Sequence, residues 1–139
     1  MRKLLALAVA CTFAAALLAC GGSDGDTERT EVGVSLKEWS VSPSQTEARP
    51  GTVTFEVRNE GSMPHQLVVI KSDLPPEMLP VANGDIATSQ VRILESIDPI
   101  GSGATAEVRF EATAGKYVLV CNVPGHYQQG MTTSFLIEP

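Results

Sequence analysis

Beyond residue 31 the chain is written mostly in a two-residue period. Val32-Gly33-Val34-Ser35-Leu36 puts apolar side chains at every second position, the pattern of a half-buried strand. Trp39 falls one position out of phase, which predicts a bulge or a turn there. Thr52 to Arg58 alternates cleanly, with Val53, Phe55 and Val57 expected inward. His65-Gln66-Leu67-Val68-Val69-Ile70 reads as a more deeply buried strand with His65 at its start. Gln90 to Ile97, Ala104 to Glu111, Gly115 to Cys121 and Thr132 to Glu138 are further strand candidates. Pro43, Pro50-Gly51, Asn59-Glu60-Gly61, Pro99 and Gly101-Ser102-Gly103 mark turns between them. Residues 72–89, with their prolines and Asn83-Gly84, allow a short helical turn and loops. Seven to eight short strands separated by turn signals predict an all-β sandwich built from residues 32–139.

The beginning of the chain follows another pattern. Met1-Arg2-Lys3 is a short positive stretch, and Leu4 to Ala19 is apolar and rich in Leu and Ala. That run is short for a membrane span and ends in small residues, as a secretory signal does, so residues 1–19 are expected to be a signal peptide. It closes on Leu17-Leu18-Ala19-Cys20, which looks like a bacterial lipobox with Cys20 as the lipidated mature N-terminus. Ordinary cleavage is the alternative, since Leu18 is not the commonest residue in its slot. Gly21 to Glu31 has no apolar residue, so residues 20–31 are expected to form a lipidated cysteine and a flexible tether. The protein is then exported, periplasmic or at the cell surface, and held to a membrane by its N-terminal lipid.

Charge and cysteine content narrow the function. Removing residues 1–19 takes away Arg2 and Lys3 and no acid, so Lys+Arg falls from 10 to 8 against 16 acids and the net charge moves from −6 to −8. Nucleic-acid binding, which needs basic patches, is excluded on that balance. Cys11 leaves with the signal and Cys20 takes the lipid, which leaves Cys121 without a disulfide partner. An odd thiol in an exported protein needs an occupant.

The stretch Cys121-Asn122-Val123-Pro124-Gly125-His126-Tyr127-Gln128-Gln129-Gly130-Met131 supplies one. A thiol, an imidazole and a thioether follow one another at five-residue intervals. Five helical residues would set neighbours about 140° apart around the axis, and five strand residues would put them on opposite faces. Only a loop turns all three inward, and Pro124-Gly125 favours one. Thiolate, imidazole and thioether together select copper; a blue-copper site takes two His and one Cys in a plane, with a distant Met on its axis. The chain has just one other histidine, His65. Taken singly, Cys121 and Met131 would read as core filler; the combination points to one copper ion.

With these residues the chain resembles the small blue copper proteins, the cupredoxins, over about residues 32–139. The Cys-x4-His-x4-Met spacing looks most like rusticyanin, and Asn59 to Gln66 resembles the family's first-ligand segment. The resemblance implies a Greek-key β-sandwich or barrel, with His65, Cys121 and His126 as equatorial ligands and Met131 as the axial one. Many members carry Asn after the first histidine, tying the two ligand loops together; here Gln66 stands in that position. The resemblance also implies an electron carrier that is not an enzyme, with redox protein donor and acceptor, and a port at the solvent edge of His126. Pro124, Gly125, Tyr127, Met63 and Pro64 would surround that port, though Tyr127 packing against the fold is an equal alternative. The chain is expected to be a monomer.

Other functions fit less well. A periplasmic copper-binding or delivery protein without redox turnover is the runner-up, but such sites tend to be richer in Met and His. Copper oxidases and reductases need further His motifs, and a dinuclear centre needs a second loop cysteine; neither is present. A Cys121–His126 hydrolase would need an orienting acid near the loop.

Overall fold

The computed structural model describes residues 28–139. The expected signal peptide, Cys20 and the expected tether as far as residue 27 lie outside the described residues. Eleven strands follow in order: β1 (Arg29–Lys37), β2 (Ser40–Pro43), β3 (Glu47–Ala48), β4 (Gly51–Asn59), β5 (Val68–Lys71), β6 (Val81–Ala82), β7 (Asp85–Ile86), β8 (Arg92–Ser96), β9 (Thr105–Ala112), β10 (Gly115–Val120) and β11 (Thr132–Ile137). Three of these, β3, β6 and β7, are two residues long, which leaves eight of ordinary length. Single 3-10 turns at Pro76–Met78, Thr88–Gln90 and Tyr127–Gln129 are the helical content of the described residues.

Two sheets form the sandwich. One runs β2-β1-β4-β9 and the other β3-β11-β10-β5-β8, while β6 and β7 make a small separate ribbon. The alternation in β1, β4 and β9 sorts side chains as expected: Val32, Val34, Leu36, Val53, Phe55, Val57, Val108 and Phe110 are buried, with polar residues between them. They meet Leu67, Val69, Tyr117, Leu119, Phe135 and Ile137 from the opposite sheet in one core. Phe55 anchors it, edge-on to Phe135 with ring centroids 5.2 Å apart. Tyr117 stays buried because its hydroxyl is satisfied: it donates to the Thr113 carbonyl at 2.6 Å and accepts from the Thr113 amide at 3.1 Å.

Val68–Ile70 of β5 and Tyr117–Val120 of β10 are buried at every position, which is the mark of strands covered on both faces. Val69 and Leu119 face the central core, whereas Val68, Ile70, Val118 and Val120 face a second cluster with Leu79, Ile86 and Tyr127. Residues 72–91 are therefore the lid of that second face. β8 covers the sheet's edge, and a bulge between Val69 and Ile70 shifts its register, leaving Ile93 exposed and Leu94 against the core.

The sheet starts earlier than the composition suggests. Arg29, Thr30 and Glu31, read above as tether, pair in parallel with Thr52, Val53 and Thr54. Ladder pairing uses backbone groups, so a polar stretch can join a strand whose register is already set by Val32, Val34 and Leu36. Trp39 does stand in a turn: Lys37 pairs with Ser40, and Glu38-Trp39 forms the two-residue connection between β1 and β2.

Candidate metal centre

Strand phase brings the expected ligands to one end of the core. Tyr117 and Leu119 point into the central core on β10, and Cys121, the next in phase, follows them just beyond the strand. On β11, Phe135 and Ile137 point inward, and Met131 precedes them in the same phase. Leu67 and Val69 are in phase with His65, which is fully buried and bridges by backbone to Ile100 rather than opening β5 itself. His126 comes from the loop. The Cys121 amide donates to the Met131 carbonyl at 3.0 Å and the Met131 amide to the His126 carbonyl at 3.2 Å, so the loop closes on itself. Gly130 reverses the chain after the last 3-10 turn with a φ of 96°, a conformation glycine adopts without a Cβ clash.

Three of the four donors converge. His65 Nδ1 lies 3.2 Å from His126 Nδ1, and Cys121 Sγ lies 3.9 Å from the first and 3.5 Å from the second. A triangle with those sides has a centre about 2.1 Å from all three atoms, close to ordinary metal–nitrogen and metal–sulfur bond lengths. All three side chains are buried. Met131 is completely buried in the core cluster that contains Cys121. The donors therefore fit a trigonal, sulfur-containing copper site.

The surroundings are dry. Burial pushes the Cys121 thiol above its ordinary range, opposed by the amides of Gln66 and Val123. The Gln66 amide lies 3.4 Å from Sγ, so the link between the two ligand segments runs through the Gln66 backbone. Burial also lowers the pKa of His126, His65 beside it lowers it further, and Glu38 works the other way.

Several residues that brace the site carry no local signal in the sequence. Asn59 is fully buried; its side-chain amide donates to the carbonyls of Met63 and Ile100 at 2.8 Å each, and its oxygen accepts from the Gly61 amide at 2.9 Å. It pins the segment that leads to His65. Residues 72–91 brace the other ligand loop: the Ile86 amide donates to Asn122 Oδ1 at 2.9 Å, and Asp85 Oδ1 accepts from the Gly125 amide at 3.0 Å. Tyr127 belongs to this brace, not to an exposed port. It is 8% exposed, and its hydroxyl donates to the Pro76 carbonyl while accepting from the Leu79 amide. His126 itself is only 3% exposed, and Trp39 stands edge-on to it with ring centroids 5.3 Å apart. The apolar surface here consists of Trp39, 43% exposed, with Met63, Pro64 and Pro124.

Glu38, beside Trp39, reaches the His65 segment. Its Oε1 accepts from the amides of Ser62 and Met63 at 2.7 Å each. The Met63 amide, the Glu38 amide itself and the Ser62 donors hold its carboxyl at about 2, against the opposing effect of desolvation.

A two-sheet β-sandwich with a His-Cys-His triangle at one end defines a cupredoxin, a class whose cofactor is a single type 1 copper ion. Residues 49–138 match the sulfocyanin (SoxE) domain, and the chain belongs to that family. Auracyanin-A of Chloroflexus aurantiacus is 28% identical over 150 residues, covering 90% of this chain and 91% of that protein. The copper-resistant cuproprotein CopI of Pseudomonas aeruginosa is 27% identical over 135 residues, covering 76% of this chain and 75% of that one. Among solved structures, rusticyanin from Thiobacillus ferrooxidans shares the fold with a TM-score of 0.55 at 17% identity, over 81% of this chain and 79% of that one.

Proposed function

We propose that the protein is a small blue copper electron carrier, with His65, Cys121 and His126 as equatorial ligands of one copper ion and Met131 as the axial ligand. The observation that carries this reading is the buried triangle of two Nδ1 atoms and one Sγ. Copper bound there supplies a reversible one-electron step between its cuprous and cupric states. The chain's part is to hold the donors still and keep water out. Cys121 and Met131 sit at the roots of β10 and β11, His65 is pinned through Asn59, and His126 is braced by residues 72–91. Donors fixed on such a frame reorganise little when the metal changes charge. Electrons would pass between His126 and a redox partner seated over Trp39, Met63, Pro64 and Pro124.

The same reading takes the protein to be exported as a monomer and tethered to a membrane by lipid on Cys20. The test is a visible absorption spectrum of the copper-loaded protein followed by redox titration. A strong thiolate-to-copper band with reversible one-electron cycling is expected; a colourless copper complex would overturn the proposal. A second reading, copper binding or delivery without redox turnover, draws on the likeness to CopI. Tight copper uptake that does not cycle reversibly would favour it.

A further inference from the structure

The β1–β2 turn reaches the centre from outside the donor set. Among the described residues, His65 Nε2 and Thr132 Oγ1 are the buried side-chain polar atoms with no hydrogen-bond partner. His65 Nε2 is not facing an apolar wall: Glu38 Oε1 lies 3.4 Å away. That carboxylate cannot swing freely. Two amides and the Ser62 hydroxyl hold Oε1, and Gly61 makes room for the group, since a Cβ there would lie 2.6 to 2.8 Å from its atoms. An imidazole that binds metal through one nitrogen is normally oriented by an acceptor at the other.

We propose that Glu38 is a positioning residue of the metal centre: its carboxylate takes the Nε2–H of His65, leaves Nδ1 free for the ion, and places a fixed negative charge beside the site. The inference rests on the copper reading for its effect on potential, but its effect on the imidazole does not need the metal. A nearby anion favours the more highly charged metal state, so it lowers the reduction potential. The turn thus acts on both histidines, through Glu38 on His65 and through Trp39 on His126.

Two measurements test it. In the metal-free protein, nitrogen NMR of the imidazole rings should find His65 as the Nε2–H tautomer, with that preference weakened in Glu38→Gln. In the copper-loaded protein, Glu38→Gln keeps the shape and removes the charge. At the wild-type midpoint potential, its cuprous-to-cupric ratio should rise ~tenfold, as expected for one charge several ångström away under partial screening. Glu60→Gln, an acid nearby that bonds Ser35 instead, should move the ratio less than about twofold. An Nδ1–H tautomer in the metal-free wild type, or equal shifts in the two variants, would overturn the role of Glu38. A wild-type protein without a blue band would sink the copper reading, and the metal-free tautomer would still decide the Glu38 contact.

Discussion

Cys121 and His126 each meet a buried environment that disfavours charge, and the two pull the metal-free protein in opposite directions with pH. His126 titrates below its ordinary value of 6.5 because of burial. The unfolded chain then binds its proton first, so stability is full above 6.5 and falls as pH drops below it. Cys121 titrates above its ordinary 9.0, so its contribution is full below 9.0 and is lost as pH rises past it. Thermal melts of the metal-free protein should therefore show a plateau between these limits. Cys121→Ser should remove the onset of the alkaline fall near 9, leaving the later part above 10 that comes from Tyr127, whose pKa burial also raises. The same variant should abolish the blue band of the copper-loaded protein; a Cys121→Ser protein that stays blue would refute the thiolate assignment. Met131→Leu should retain copper and shift the reduction potential, measured by redox titration, because the axial ligand tunes it.

Strands and turns explain what could be read in advance. Alternation in β1, β4, β9 and β11 follows directly from one buried face, and the unbroken apolar runs at Leu67–Ile70 and Tyr117–Val120 announce two. The Cys121–Met131 loop stood out because its chemistry is local: a thiol, an imidazole and a thioether spaced around Pro124-Gly125. Residues 72–91 did not, because two-residue strands and single 3-10 turns carry no period to detect. Asn59 and Glu38 were missed for a different reason. Each acts on groups brought near by the fold, Ile100 and His65, and an Asn before Glu-Gly looks like any other turn. These braces predict measurable losses. Asn59→Ala removes three hydrogen bonds, to the Met63 and Ile100 carbonyls and from the Gly61 amide, and should cost about 3 kcal/mol in chemical denaturation. Tyr127→Phe removes the link to Pro76 and Leu79 and should cost about 1–2 kcal/mol, loosening the ligand loop without removing a donor.

At the scale of the whole molecule, the sandwich carries its chemistry at one end. Membrane fractionation tests the proposed tether: Cys20→Ala should move the protein to the soluble fraction, and retention would remove the lipid reading. The parallel pairing of β1 with β4 adds a direction to that picture. Arg29 lies beside Thr52 at one end of the sheet, and Leu36 lies beside Asn59 at the other, where Glu38 turns over His65. The nine residues of β1 span roughly 30 Å. Whatever precedes Arg29 therefore joins the sandwich at its base, the end away from Glu38. A protein moored by that base would stand with its redox tip pointing away from the lipid, within reach of partners diffusing in the aqueous phase above.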